Sequence, residues 1–315
     1  MAVSNLHLRH QGPVLAGLAR VAWAALTQKI DPAAPPPTCP GPTHTELVPP
    51  RPKALVSDLV RWAGGDARAW RGRVPSYMFP QWGFPLLGRT LDGVPYPLPK
   101  VLNQGCRITV EEPLPAGEVL RLEAHLHGVD DNGQRARLHQ RLVTTTDSGG
   151  RVVSDVFAYV PLAKKKKGGK RAGPPTVPLD SREIARRRLG PGAGLDFAIL
   201  TGDFNPVHWL RPYAKVAGFK STILHGFGTI SIAVEAVIAG LWSGDVRRFG
   251  GVDVRFTRPL VLPAKVGVFV GTPDAEGRIP IAVGKAPGGA AVMLGHIWAK
   301  EPLKLPVAAS PLEES

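Results

Sequence analysis

The apolar run that follows His225 and Gly226 constrains the fold of this chain more than any other feature. The run reads GTISIAVEAVIAGLW, from Gly228 to Trp242, and it is almost wholly apolar. It is too short to cross a bilayer, which takes about 20 apolar residues. It is also too uniformly apolar for a helix that has one face in water. The sequence therefore predicts a helix buried at the centre of a domain.

Strand patterns lie on both sides of this run. Before it, segments between Gly105 and Leu162 alternate polar with apolar residues or carry β-branched residues, and DDNG and DSGG separate the last three as hairpin turns. After it, similar segments follow between Gly250 and Leu303, with turns at PDAEG and APGGA. Each half thus has a helix or loop region and then several antiparallel strands. We therefore expect two copies of one α+β fold.

Proline-rich and lysine-rich stretches predict the domain boundaries. Residues 1–46 would be an N-terminal arm and a Pro-rich linker, with a short amphipathic helix that either packs on the protein or contacts a membrane surface or partner. Residues 47–162 would be an N-terminal domain. Residues 163–178 would be a basic linker, because lysines mixed with glycines and prolines cannot bury apolar surface. Residues 179–308 would be the C-terminal domain.

Prolines also interrupt the aromatic segment from Tyr77 to Leu91 in the first half. Proline removes a hydrogen-bond donor and clashes with the preceding helical turn, so Pro80 and Pro85 predict loops and short helical turns here. Such a segment would fill the centre of its domain less regularly than the apolar run fills the other.

A polar turn precedes the apolar run and carries an acid and a base. Asp203 and His208 stand five residues apart, which on a regular helix would separate them by about 140°. Pro206 turns the chain between them, because it disfavours helical geometry at Asn205 and suits a first helical position, with Asn205 as N-cap. We therefore expect the two side chains to converge.

The start of the apolar helix suits a developing negative charge. Gly226 and Gly228 leave backbone amides uncovered there, and the helix dipole favours an anion at that end. An acid/base pair beside such a helix start can move a proton next to a carbonyl that becomes an enolate.

The run TGDFNPVHWLRPYA resembles the signature of MaoC-like, (R)-specific enoyl-CoA hydratases, which reads G-D-x-N-P, an aliphatic residue, His, five residues, Ala. The following HGF is similar to the H-G-[MF] of that family at the start of its central helix. Fixed positions of the motif are matched by Gly202, Asp203, Asn205, Pro206, Val207, His208 and Ala214. The resemblance is strongest to two-domain hydroxyacyl-thioester dehydratases.

This resemblance implies a double hot-dog fold, in which two antiparallel sheets each wrap a helix region and pack edge to edge. It implies reversible hydration of trans-2-enoyl thioesters by Asp203 and His208 in the C-terminal domain, with a noncatalytic N-terminal domain. Gly226 would supply the oxyanion donor. Asn205 would lie beside the substrate, but its role would be to hold the turn rather than to touch the substrate. Where some relatives have a serine eight residues after that glycine, this chain has Val234.

The resemblance further implies an acyl pocket in the N-terminal half. Phe79, Trp82 and Phe84 would line an apolar tunnel there, or would simply fill a core. The substrate would be an acyl-CoA or an acyl carrier protein thioester. No cofactor and no metal are expected, since CoA or phosphopantetheine enters as part of the substrate.

Composition limits the partners and the compartment. The 315-residue chain has a formal charge of +14, which predicts attraction to CoA, acidic carrier proteins, nucleic acid or anionic membranes. Cys39 and Cys106 are too few for a disulfide scaffold, so a cytoplasmic location is expected. His125, His127 and His139 lie on alternating strands without a carboxylate at metal-like spacing. No transmembrane segment is expected, and a homodimer is left open.

Two other functions compete with the hydratase. One is a noncatalytic hot-dog protein that binds acyl thioesters. The other is a basic nucleic-acid-binding protein, which the charge favours but for which the sequence has no recognisable RNA or DNA module. We therefore expect no specific nucleic-acid partner.

Overall fold

The computed structural model describes residues 3–28, 34–162, 173 and 175–300. Most of the expected basic linker, with its lysine run, lies outside these residues, as do residues 301–308 of the expected C-terminal domain. The domain boundaries therefore stay a prediction.

Strands dominate both halves. In the first half they are β1 (His44–Val48), β2 (Arg73–Val74), β3 (Leu102–Glu112), β4 (Leu114–Pro115), β5 (Leu120–Asp131), β6 (Arg135–Thr145) and β7 (Arg151–Pro161). In the second half they are β8 (Arg182–Leu189), β9 (Ile223–Leu224), β10 (Phe249–Phe256), β11 (Leu260–Val261), β12 (Ala264–Val270), β13 (Ile279–Gly284) and β14 (Ala291–Ala299). The alternating segments of the sequence thus form the strands that their pattern predicts.

Helices are divided between the halves. They are α1 (Gly12–Thr27), α2 (Lys53–Ala63), α3 (Pro80–Arg89), α4 (Ala193–Thr201), α5 (Arg211–Val216) and α6 (Gly226–Leu241). Short 3₁₀ helices cover Asn5–His10, Ser76–Met78, Leu98–Lys100, Pro206–His208 and Val246–Arg248. Within the described ranges, none of the helices is both long and apolar enough to cross a membrane.

The two halves share one ten-stranded antiparallel sheet, in the order β1-β5-β6-β7-β3-β10-β14-β13-β12-β8. Strands β3 and β10 pair at the seam, with Gly251 opposite Thr109 and Arg255 opposite Gly105. A side chain at Gly105 would collide with the Val254 carbonyl, so only glycine allows this close approach. The strands of the two halves are therefore joined edge to edge, through β3 and β10, into one sheet.

Helix α6 is the buried helix that the apolar run predicts. Its buried residues extend from Phe227 to Ile238, and the sheet, α2 and the 3₁₀ turn at Ser76–Met78 pack around it. Burial of its aliphatic side chains stabilises the fold by about 1.5–3 kcal/mol for each fully buried residue.

Helix α3 differs from the expectation of loops and short turns. Pro80 stands at the helix start, where a missing N–H costs nothing, whereas Pro85 lies inside the helix. Helix α3 packs against β1, β5 and β6, and it buries Trp82, Leu86 and Leu87. This burial offsets the roughly 3 kcal/mol that an internal proline costs. The N-terminal arm also supports α3, because Gly17 of α1 lies against Pro85.

No strand pattern indicates β8, because its sequence REIARRRL is mostly charged and has no regular alternation of apolar residues. The strand pairs with β12 and forms one end of the sheet. Charged side chains are common on such edges, where they discourage pairing with another chain. Arg187 is an exception, since its guanidinium donates to the carbonyl of Trp62 at 2.9 Å.

Candidate active site

A sharp turn after α4 brings the acid into position. Helix α4 ends at Thr201 and is capped by Gly202, whose φ of +83° is a left-handed conformation that favours glycine. Asp203 follows directly. The Asn205 side chain then accepts a hydrogen bond from the Val207 N–H at 3.3 Å and caps the 3₁₀ turn Pro206–His208. The cap and the proline act here as the sequence predicts, although the helix that they start has only one turn.

The hydrogen bonding of His208 defines which nitrogen is free for chemistry. Its Nδ1 lies 2.9 Å from the carbonyl oxygen of Ile223, so Nδ1 carries the proton and donates it. Nε2 is left with a lone pair. Burial lowers the pKa of His208, and the Asp203 carboxylate opposes that shift. A neutral imidazole that can accept a proton is the form needed for a general base at neutral pH.

Asp203 and His208 converge across the Pro206 turn, as the proline between them predicts. A carboxylate oxygen of Asp203 and one ring nitrogen from each of His208 and His225 lie within 4.8 Å of one another. A water molecule placed between the first two would be held by an acceptor on each side. The catalytic roles of the two residues stay predictions.

His225 is a site residue that the sequence reasoning missed. Its ring stacks on that of His208, with centroids 3.6 Å apart and planes inclined by 26°. Its Nε2 donates to the backbone carbonyl of Asp203 at 2.9 Å. Burial and the neighbouring His208 lower its pKa to about 3, so it is neutral. The local signal was the histidine of HGF, directly before Gly226.

His225 thus supports both members of the pair, since it holds the Asp203 backbone and lies flat against His208. We expect His225→Phe to keep the stacking and the burial but to lose the donor to Asp203, which leaves that carbonyl unpaired. The expected loss is about 10-fold in kcat, which corresponds to about one hydrogen bond, with a smaller change in KM. Steady-state kinetics would check this, with His296→Phe as a control at an exposed histidine. A kcat of His225→Phe equal to that of the wild type would contradict the prediction.

The remaining predicted site residues lie around the start of α6. Gly226 is the first residue of α6, so its N–H has no partner within the helix. A side chain at Gly226 would collide with the ring of Phe256, which explains the glycine. Asn205 is exposed, and its observed role is the cap described above. Val234 is fully buried in the apolar core and offers no hydrogen bond.

The three aromatic residues of the predicted acyl pocket are not equivalent. Phe79 and Phe84 each contact Phe227, the residue after Gly226, with ring centroids 5.3 Å apart in both pairs. Trp82 instead donates its indole N–H to Thr144 on β6 at 3.2 Å. Phe79 is fully buried, whereas Phe84 is partly exposed. Phe79 and Phe84 are therefore the pair that lies near the candidate oxyanion donor.

Asp203, His208 and His225 could also hold a metal ion, because their donor atoms are close together. A metal ion there would take the lone pairs needed to bind and deprotonate water. The absence of a metal at this site stays a prediction.

Among the other histidines, His139 lies 2.8 Å from the Asp155 carboxylate, which Arg141 also contacts. Strand pairing produces this contact, so spacing in the sequence could not reveal it.

Open cavities also occur away from this site, on the outer face of the sheet. One of about 520 Å³ lies over the β3–β10 seam and is lined in part by Arg107, Phe157 and Arg255. Neither Asp203 nor His208 lines it. Volume alone therefore does not indicate where the chemistry takes place.

Comparison with known proteins supports the motif and the fold. Residues 174–275 match the family model described as MaoC like domain. The probable enoyl-CoA hydratase 2 of Dictyostelium discoideum is 24% identical to this chain, over 55% of this chain and 61% of the length of the relative. The 3-hydroxyacyl-thioester dehydratase X of Mycobacterium tuberculosis is 31% identical, over 47% of this chain and 53% of the length of the relative. The chain thus spans less than two thirds of the length of either relative.

Solved structures agree on the fold. The crystal structure of HtdX from Mycobacterium tuberculosis has a TM-score of 0.63 at 19% identity, over 81% of this chain and 99% of that chain. A conserved hypothetical protein of the same organism, described as having a double hotdog fold, has a TM-score of 0.51 at 13% identity, over 86% of this chain and 100% of that chain. The predicted double hot-dog fold is therefore confirmed, and the chain carries a MaoC-like domain at residues 174–275.

Proposed function

We propose that this protein catalyses the reversible hydration of trans-2-enoyl thioesters to (3R)-3-hydroxyacyl thioesters. One observation carries the proposal, namely that the Asp203 carboxylate and the neutral His208 imidazole converge beside the open start of α6. The matched relatives include an enoyl-CoA hydratase and a 3-hydroxyacyl-thioester dehydratase, which supports the same chemistry.

In the hydration direction, Asp203 and the Nε2 of His208 hold a water molecule. As the water oxygen forms its bond to C3 of the enoyl group, the pair removes one of its protons. The C2–C3 π electrons move towards the thioester carbonyl, and C2 then takes up a proton from the same acid/base pair on the same face, which returns the pair to its starting state. Dehydration is the reverse sequence, with the same groups in the opposite roles.

The enolate-like oxygen of the intermediate needs a donor that is already oriented. The Gly226 N–H lies at the positive end of α6 and is not used by the helix, so it would serve as that donor. CoA or phosphopantetheine would enter as part of the substrate, and the reaction as written calls for no further cofactor.

The direct test is hydration of crotonyl-CoA and longer enoyl-CoAs, with the stereochemistry of the product determined. Formation of the (3R)-hydroxyacyl thioester would support the proposal. Tight binding of enoyl-CoA without turnover would instead support the noncatalytic alternative. A homodimer and a cytoplasmic location remain part of the proposal, and sedimentation and fractionation would test them.

We expect kcat/KM to rise from four-carbon to medium or longer enoyl-CoAs. The physical reason is that Phe79 and Phe84 place apolar surface beside Phe227 at the site, and each buried methylene contributes up to about 0.8 kcal/mol. Phe84→Ala should move the preferred length, whereas Trp82→Phe should not. A flat series, or one that falls beyond crotonyl-CoA, would show that these aromatic residues only fill a core.

A further inference from the structure

An exposed ridge begins directly after His208. We call residues Trp209–Lys220 the α5 ridge, since helix α5 forms its centre. Ala214, which is buried, anchors the helix to the protein. The indole N–H of Trp209 donates to the carbonyl of Phe204 at 3.0 Å and holds the start of the ridge. The ridge is therefore fixed at its inner side and open at its outer side.

The outer side of the α5 ridge is unusually apolar for a surface. The exposed fractions are 39% for Trp209, 40% for Leu210, 49% for Tyr213 and 90% for Val216. Isolated exposed apolar residues need no explanation, but several on one short segment mark an interaction surface. Aromatic residues and arginine are also the types enriched where proteins meet.

The charge of the α5 ridge has one sign. It carries Arg211, Lys215 and Lys220, and no Asp or Glu occurs between Phe204 and Lys220. In the part of the chain that the structure describes, none of these three cations takes part in an ion pair. Charge complementarity therefore favours an acidic partner.

This charge also argues against the simplest alternative, a second copy of the chain. A two-fold symmetric contact through the α5 ridge would place its cations against themselves, in a chain of formal charge +14. The nucleotide part of CoA is a second alternative. Its phosphates could pair with the cations, but they would leave Tyr213 and Val216 uncovered. An acidic protein surface covers both the cations and the apolar side chains.

We propose that the α5 ridge docks an acidic carrier protein that presents the enoyl thioester on its phosphopantetheine arm. The proposal rests on the proposed function and names the partner of the same site. His208 is the residue before the ridge, and Leu210 donates its N–H to the carbonyl of Pro206 at 2.8 Å. A partner seated on the ridge would thus stand beside the acid/base pair.

The test compares three substrates with one acyl group: crotonyl-loaded acyl carrier protein, crotonyl-CoA and crotonyl-pantetheine. The variants are Arg211→Glu/Lys215→Glu and Val216→Asp, and Lys285→Glu, in the turn after β13, is an exposed control. Both ridge variants should lower kcat/KM for the carrier substrate by about 10-fold or more at low salt, mainly through slower association. Added salt should narrow this difference from the wild type, because it screens the charges on both surfaces. Rates with crotonyl-pantetheine and thermal melting curves should change little.

A second measurement does not depend on activity. Fluorescence anisotropy with labelled, unloaded carrier protein should show binding to the wild type and weaker binding to the ridge variants. If no substrate is hydrated, the proposed function fails, yet this binding still decides the docking. Unchanged carrier binding in both ridge variants would overturn the docking proposal.

Three other results would also overturn it. An equal loss with crotonyl-CoA and carrier substrate would assign the cations to the nucleotide. A wild-type dimer that Val216→Asp makes monomeric would assign the ridge to a second copy. Ridge-dependent binding to vesicles of phosphatidylglycerol, without binding to the carrier, would assign it to a membrane surface.

Discussion

Asp203→Asn and His208→Ala should each lower the rate of hydration by about 10²- to 10⁴-fold, the range of a positioned acid or base. Asp203→Asn keeps the size of the side chain but removes the charge that orients and deprotonates the water. His208→Ala removes the lone pair on Nε2, which is free because Nδ1 carries the proton and donates it to the Ile223 carbonyl. The measurement is the initial rate of crotonyl-CoA hydration, with Asp180→Asn as an exposed carboxylate control.

The fold should survive both changes, because Asp203 and His208 are only half-buried and lie outside the apolar core. Circular dichroism and thermal melting would show this. A folded Asp203→Asn protein that hydrates crotonyl-CoA at nearly the wild-type rate would remove the mechanism. Activity should also persist below pH 6.5, because burial lowers the pKa of His208 and so keeps the base neutral at lower pH.

Glu235→Gln should remove a loss of stability that the wild type shows at high pH. Between pH 5 and pH 8, the free energy of unfolding of the wild type should fall by about 3 kcal/mol more than that of the variant. Glu235 is buried in the middle of α6, where Trp70 Nε1 donates to it at 2.8 Å and Tyr77 donates its hydroxyl at 2.5 Å. Burial raises the pKa of this carboxyl from 4.5 to about 7. The native state therefore holds its proton to a higher pH than the unfolded chain does.

The sign of the effect follows from this difference. Between about pH 4.5 and 7 the native state binds the proton and the unfolded chain does not, so stability falls as pH rises and then levels off. A shift of about two pKa units or more corresponds to about 3 kcal/mol. Glutamine keeps an acceptor for Trp70 and Tyr77 but cannot ionise, so the fall should disappear.

Urea unfolding at pH 5 and pH 8 would measure this effect. Glu123→Gln, on the exposed side of β5, is the matched control. Asp66 is the other nearby acid that raises the pKa, so Asp66→Asn should reduce the effect without abolishing it. A wild type and a Glu235→Gln variant that respond equally to pH would show that Glu235 keeps an ordinary pKa.

Sequence patterns that depend on near neighbours predicted their parts of the structure correctly. The uniform apolar run predicted the buried helix α6, and alternation between Gly105 and Leu162 predicted the antiparallel strands there. The Pro206 turn predicted that Asp203 and His208 would converge. In each case the decisive interactions lie within a few residues of one another or follow a fixed period.

Other features depend on residues that are far apart in the chain, and no local pattern could show them. The free energy gained when α3 packs against β5 and β6 exceeds the cost of the proline inside α3. The register between β3 and β10 joins the halves and explains Gly105. Glu235 receives its partners from residues 158 and 165 positions away.

The candidate site divides in the same way. Its acid, its base and its helix start are encoded in one short segment, because a turn, a cap and a glycine act locally. The support beneath them comes from tertiary packing, because the stacking of His225 on His208 requires the start of α6 to lie beside the Pro206 turn. Burial then keeps both imidazoles neutral, and the depth of burial is decided only when the whole sheet has closed around α6.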